Sequence, residues 1–285
     1  MWRRACLIAV VGAVTYATSL SGPFLFDDDG SVVENTTIRN LRPSVALHPD
    51  RESPTAGRPL VNMTFAINYA IGGLNVVGYH ATNIAIHLLC GLVLFGLARR
   101  TLDLPRIPAS LHQWSADLAF AITLLWVVHP LNSEAVDYIT QRTESLMALF
   151  YLLTLYCAVR AEGPPEAGHY VLAGPAKAGR PAPNALAKAG RDVRGVRLQA
   201  DLRWTAAAIV ACALGMACKE SMVTAPLMVL IYDRVFLYGS LMRAFRARRL
   251  LYGGLAATWI LLAALLQSAP RMYSAGFHAG VSPWT

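Results

Sequence analysis

Charge is what this chain lacks most. Only 15% of its 285 residues are Asp, Glu, Lys or Arg, against roughly 25% in an ordinary soluble domain. Hydrophobic residues make up 55% and mean hydropathy is +0.42. This composition excludes a disordered chain and argues against a soluble enzyme. Nucleotide-binding glycine patterns and a GxSxG nucleophile turn in a suitable context are missing too. No Cys/His spacing fits zinc, and no solenoid period recurs. The five cysteines, Cys6, Cys90, Cys157, Cys212 and Cys218, all fall in apolar stretches, so structural disulfides are not expected. Lysine is nearly absent: Lys177, Lys188 and Lys219 are the three, and arginine supplies the other basic residues.

What is present is a series of long uncharged runs. A bilayer core about 30 Å thick takes roughly 20 apolar residues as helix. Seven spans are expected: Cys6–Phe26, Tyr79–Ala98, Leu118–Ser133, Ser145–Val159, Trp204–Cys218, Ser221–Tyr232 and Leu250–Ala269. The third and fourth form a helical hairpin around 134–144. The sixth is short, and Pro226 can kink it. The fold class is thus all-α, a polytopic transmembrane helical bundle. Val61–Ala70 is uncharged but too short to cross, so it reads as an interfacial helix or a packing segment of the first outer loop, residues 21–78.

The formal net charge of +8 has two explanations, nucleic acid or cytoplasmic loops. Placing the N-terminus in the cytoplasm puts 18 of the 25 basic residues on the inner side. That distribution makes the excess a topology signal. Residues 162–203, rich in Pro, Ala and Gly, read as a flexible basic cytoplasmic linker. Its basic run from Lys177 to Arg203 carries no interleaved aromatic residue, so nucleic acid is not an expected partner. Membrane lipids are.

The unusual chemistry lies on the outer face. Asp27, Asp28 and Asp29 follow the first apolar run directly. Such acids can serve as a general base on a hydroxyl, help hold a divalent metal, or form a solvated cluster at a helix end. No residues are assigned to a metal. Other polar groups at the outer boundary are Arg58, His80, Asn83, His87, His129, Glu134, Arg142, Glu144, Lys219 and Glu220. The cations among them can meet a lipid phosphate or pair locally with Glu144 or Glu220. His87 reads first as an interhelical hydrogen bond. Two Asn-x-Thr sequons begin at Asn35 and Asn62.

Several of these residues stand in a familiar order. Phe26-Asp27-Asp28 with Asn35 and Ile38, then Arg58-Pro59-Leu60-Val61-Asn62, then Gly78-Tyr79-His80 with Asn83 and His87, open the pattern. His129-Pro130-Leu131-Asn132-Ser133-Glu134-Ala135-Val136 and Arg142-Thr143-Glu144-Ser145-Leu146 continue it. Lys219-Glu220, Pro226 and Tyr232-Asp233 complete it. Together they resemble the transmembrane-and-tetratricopeptide-repeat family, a branch of the GT-C glycosyltransferases.

The resemblance implies a polytopic enzyme that transfers a sugar, mannose in eukaryotic members, from a polyprenyl-phosphate carrier to a protein Ser/Thr hydroxyl on the outer face. It implies a catalytic carboxylate at Asp28 or Asp27, with Asp28 preferred as the second acid of the family's pair. Arg142, Glu144, Lys219 and Glu220 would line the donor or acceptor site, joined by Arg58, His80, His129 and Glu134. The family continues into further helices and tetratricopeptide repeats, which this sequence does not contain, so a fragment is expected. A catalytically incomplete membrane anchor or assembly partner is the alternative. A transporter is disfavoured, because the charges sit at the outer edge and the span centres are apolar. The arginine bias points to a GC-rich bacterial genome and hence to a bacterial inner membrane.

Overall fold

The computed structural model describes residues 1–162 and 202–268. Those residues form helices and turns, with no strand among them. The principal helices are α1 (Trp2–Thr15), α2 (Pro59–Gly72), α3 (Val76–Leu102), α4 (Ser115–Val127), α5 (Ser133–Asp137) and α6 (Arg142–Arg160). After them come α7 (Leu202–Met216), α8 (Glu220–Tyr238), α9 (Leu241–Ala247) and α10 (Arg249–Ser268). The expected linker at 162–203 lies outside the described residues except for Glu162, Leu202 and Arg203.

The helices run between two ends. At one end the 130–141 hairpin meets the start of α3, where Asn83 Nδ2 donates at 3.3 Å to the Tyr138 and Ile139 carbonyls. At the far end Arg99 Nη1 lies 3.2 Å from Met1 Sδ, Arg4 bonds Asp117, and the Thr101 and Tyr232 hydroxyls meet at 2.7 Å. These contacts place the N-terminus at the same end as Arg99, Arg100 and Arg160. Helices α1, α3, α4, α6, α7, α8 and α10 are the longer elements of the bundle beside α2.

Length and composition qualify three helices to cross a membrane: α3, α8 and α10. A fourth qualifies if α4 and the segment Pro130–Asp137, bent by 53° to one another, count as one span. The other helices are shorter or carry charge within them. The α3 helix has 27 residues, about 40 Å at 1.5 Å per residue. Asn75 caps its start through Val77 N–H, and Arg99 and Arg100 occupy its last turn, where cations suit the helix dipole.

Two expectations are corrected here. The first run was expected as one helix from Cys6 to Phe26, but α1 stops at Thr15 and gives way to a tighter turn over Ala17–Ser21. Thr15 and Ser19 hydroxyls bond back to the Val11 and Tyr16 carbonyls, and Gly22 is extended ahead of Pro23. Proline has no N–H and disfavours helix in the residue before it. The sixth run, expected to end near Tyr232, instead continues as a wide helical turn over Asp233–Tyr238, giving α8 its 19 residues. Pro226 sits in its early turns, where a missing donor costs little.

Packing is close where α1, α3 and α4 meet. Methyl groups of Val127 lie 2.7 Å from where a Cβ would stand on Gly12 and on Gly91. Only glycine admits that approach at both positions. At the hairpin end, a second cluster packs Val32, Ile38 and Ala46 of the first loop onto Val61, Phe65 and Ala66 of α2 and Tyr79 of α3. Asn62 ties this loop together. It donates to Thr37 Oγ1 at 2.8 Å and the Ala46 carbonyl at 2.9 Å, and accepts from Asn35 Nδ2 at 2.9 Å and Thr55 Oγ1 at 3.1 Å. Both sequon asparagines are therefore buried and spent on loop structure.

Candidate functional site

The three consecutive acids do not act as one cluster. Phe26, just before them, is the one non-glycine residue with positive φ (46°) among the described residues. Its ring is 86% exposed. This turn sends Asp28 inward and leaves Asp27 and Asp29 exposed. Asp28 is 1% exposed. Its Oδ1 accepts from Thr140 N–H at 2.8 Å and Thr140 Oγ1 at 2.6 Å, and its Oδ2 accepts from Leu25 N–H at 3.0 Å. The Asp27 N–H donates to the Tyr138 hydroxyl at 2.9 Å.

Helix α3 adds a third contact to the same segment. His80 Nε2 lies 3.1 Å from the Gly22 carbonyl, and a Cβ on Gly22 would sit 3.3 Å from that nitrogen. His80 in turn stands near Asp137, within electrostatic reach of its carboxyl. Tyr138 and Thr140 thus hold Asp27 and Asp28 from one short stretch, with Asp137 beside Ser19 and His80. Burial pushes the Asp137 carboxyl above the ordinary carboxylate range, offset in part by the Ser19 hydroxyl and by His80 and His87. Asp137 Oδ1 and His80 Nδ1 are buried with no hydrogen-bond partner.

A second group lies four residues further along the chain. Glu144, in the first turn of α6, pairs with Lys219 at the mouth of α8. Arg58 Nη2 reaches Glu220 at 3.4 Å. The Leu60 N–H meets the Ala217 carbonyl at 3.4 Å and draws the start of α2 to the same loop. Four of the expected site residues, Arg58, Glu144, Lys219 and Glu220, are therefore brought together as two crossed ion pairs. Sequence neighbours Lys219 and Glu220 take partners on different elements.

Arg142 is placed differently from that expectation. It is fully buried (0% exposed), with no surface open to a ligand. Its guanidinium donates to Asn83 Oδ1 at 2.7 Å, Asn68 Oδ1 at 2.6 Å, Thr64 Oγ1 at 3.4 Å and the Tyr79 carbonyl at 2.9 Å. It also lies 4.4 Å from the centre of the Phe65 ring. Arg142 thus bolts α2, α3 and α6 together. His129 and Glu134 are exposed and apart from both groups: His129 Nδ1 accepts from Leu131 N–H at 3.2 Å, and Glu134 meets Gln141 at 3.3 Å. His87 makes the interhelical bond expected of it, 2.9 Å from the Val127 carbonyl. No group of three or more His, Cys, Asp or Glu gathers for a metal among the described residues.

Residues 137–141 lie between the two motif runs that end at Val136 and begin at Arg142. The clamp lies in that gap. Its signal was present, since Asp137, Tyr138 and Thr140 are polar residues between two apolar spans, but their partners are more than fifty residues away.

An all-helical protein with membrane-length helices and an acidic loop clamped at one end is a polytopic membrane protein by class. Comparison with known proteins narrows this. The chain is 33% identical over 159 residues to protein O-mannosyl-transferase TMTC1 of Homo sapiens, covering 52% of this chain and 17% of that protein. It is 33% identical over 189 residues to TMTC4 of Mus musculus, covering 57% and 24%. A protein O-mannosyl-transferase of Caenorhabditis elegans is 28% identical over 167 residues, covering 55% and 23%. The resemblance to the transmembrane-and-tetratricopeptide-repeat family is thereby borne out. The matches span about a fifth of the length of these relatives. No family pattern matches the chain, and no solved structure does.

Proposed function

We propose that residues 1–285 are membrane domain of a GT-C-type glycosyltransferase with seven spans and a cytoplasmic N-terminus. In this reading it moves a sugar, mannose by analogy with the relatives' names, from a polyprenyl-phosphate carrier to a Ser/Thr hydroxyl of a protein. The reaction takes place at the hairpin end, on the outer face of a bacterial inner membrane. Orientation is supported by the arginines gathered with Met1 at the far end, since basic residues favour the cytoplasm. Residues 21–78 are the outer loop that carries the acids, and α2 is its interfacial helix.

One observation carries the catalytic reading: the loop that holds the acids is gripped by the hairpin that leads, within four residues, to the Glu144–Lys219 and Arg58–Glu220 pairs. The two acids then divide the work. Asp28 has both oxygens committed to Thr140 and Leu25, so it positions the loop. Asp27, next to it, has a carboxylate that meets the Tyr138 hydroxyl but is exposed to solvent, where it can take the acceptor's proton. The acceptor oxygen forms its bond to the anomeric carbon as the bond from that carbon to the phosphate oxygen breaks. The electron pair leaves with the lipid phosphate, and configuration inverts. Arg58 and Lys219 are the cations placed to meet that phosphate, by exchanging a carboxylate for it.

The test is sugar transfer from a labelled polyprenyl-phosphate donor, in the longer relative and in this chain. Asp27→Asn is expected to abolish transfer with the thermal unfolding midpoint unchanged. Asp28→Asn is expected to lower both. Full transfer by Asp27→Asn overturns the assignment. The complete internal satisfaction of Asp28 favours a second reading, a non-catalytic anchor, which predicts no transfer by the unaltered chain.

A further inference from the structure

The far end of the bundle sorts its arginines into two kinds. Arg248 is 7% exposed and fully engaged. Its Nη1 bonds both oxygens of Asp233 at 2.8 and 2.7 Å, its Nε reaches Glu162 at 3.0 Å, and its Nη2 reaches the Ala158 carbonyl at 2.5 Å. Tyr252 completes Asp233, and Tyr238 completes Glu162, each at 2.5 Å. This knot fixes the connection between α8 and α10, and with it the short helix α9.

The outer side of that connection is the opposite. Arg234, Arg243, Arg246 and Arg249 are exposed, and none has a carboxylate partner among the described residues. Arg106 joins them from the α3–α4 loop. Its Nε donates to the Leu237 carbonyl at 3.3 Å, and its guanidinium lies where a Cβ on Gly239 would be, 2.4 Å from Nη2. Gly239 also has positive φ (69°), so it is required twice over. Between these arginines α9 exposes Leu241, Met242 and Phe245, and Leu250 follows at the start of α10. Apolar side chains interleaved with unpaired guanidiniums, on a rigid turn joining two membrane-length helices, match the boundary between acyl chains and headgroups.

We propose that α9 and its flanks form a seat for anionic phospholipid, with Leu241, Met242 and Phe245 in the acyl layer and Arg106, Arg243, Arg246 and Arg249 on the headgroup phosphate. This rests on the membrane reading of the chain and is independent of sugar transfer. Guanidinium suits phosphate by its planar fork of donors, and each cation near a charged bilayer surface strengthens binding about five-fold. The complementary ligand is a lipid of the phosphatidylglycerol kind, not a neutral one.

The experiment uses the full chain in a neutral detergent, titrated with phosphatidylglycerol, phosphatidylcholine or inorganic phosphate, and reads bound lipid by native mass spectrometry together with the thermal unfolding midpoint. Phosphatidylglycerol is expected to be retained and to raise the midpoint, while the other two do neither. The double variant Arg243→Gln/Arg246→Gln is expected to weaken phosphatidylglycerol binding about twenty-fold. Arg106→Gln, on another loop, is expected to weaken it about five-fold and serves if the double variant does not fold. Equal retention of phosphatidylcholine overturns the proposal, as does unchanged binding by Arg106→Gln. An equal midpoint shift with inorganic phosphate overturns it in favour of a soluble-anion site.

Discussion

Two arginines are buried among the described residues, one at each end, and they are housed in opposite ways. Arg248 sits between two carboxylates and a carbonyl. Arg142 has no carboxylate within ion-pair distance among the described residues, and rests on two side-chain amides, a hydroxyl, a carbonyl and an aromatic face. The first arrangement neutralises charge and leaves little for a ligand to gain. The second satisfies donors but keeps the positive field, next to the loop that carries the acids. The far end is therefore a lock, and the hairpin end a prearranged field. A buried charge without a counter-charge is costly, so the neutral cage around Arg142 is the costlier of the two.

The comparison can be broken most forcefully at the lock. Asp233→Ala leaves Arg248 buried with half its partners, which is expected to cost about 3–5 kcal/mol. Unfolding in mixed micelles measures this. Replacing both residues, Asp233→Leu with Arg248→Met, is expected to recover part of the loss, since it removes both buried charges but takes partners from Glu162, the Ala158 carbonyl and the Tyr252 hydroxyl. At the other end, Arg142→Lys keeps the charge but not the planar fork. At least one of the Asn68, Asn83 and Tyr79 acceptors is then left without a donor, for an expected loss of about 1–3 kcal/mol in the same measurement.

The smallest effect concerns Asp137, in the hairpin outside the membrane-length helices. Its carboxyl is held above the ordinary range by burial. The folded chain thus keeps this proton to a higher pH than the unfolded chain does. The contribution to stability is whole below the unfolded pKa and is lost as pH rises through the folded one. Asp137→Asn is therefore expected to raise the unfolding midpoint at pH 7 and to leave it unchanged below about pH 4. A shift that is the same at both pH values would show that Asp137 acts by packing alone.

The long elements were legible in the sequence because hydrophobic runs report helices directly. Tyr79–Ala98 anticipates α3, and Leu250–Ala269 anticipates α10 to within a residue. The break after α1 was not legible by hydropathy, which is blind to Thr15 and Ser19 bonding back to the chain and to Pro23 ending the helix. The lock was hidden for another reason. Arg248 stands in a run of basic residues and reads as one more exposed charge, while its partners Asp233 and Glu162 lie 15 and 86 positions away. At the candidate site, the acids and cations are legible by type, but their partners are not. Which acid would be spent internally depended on the turn at Phe26, and no pattern of charges encodes that turn.

The grip of Tyr138 and Thr140 on Asp27 and Asp28 makes the hairpin a ruler. Half of what Thr140 offers Asp28 is a backbone N–H, which any residue but proline supplies, and Asp27 is met only by the far tip of the Tyr138 side chain. Spacing is what the contacts share: Tyr138 and Thr140 must arrive two residues apart to meet Asp27 and Asp28. Side-chain identity in this stretch can drift across homologues, while its length cannot, and the acids stay in register with the bundle for as long as the count of residues is kept.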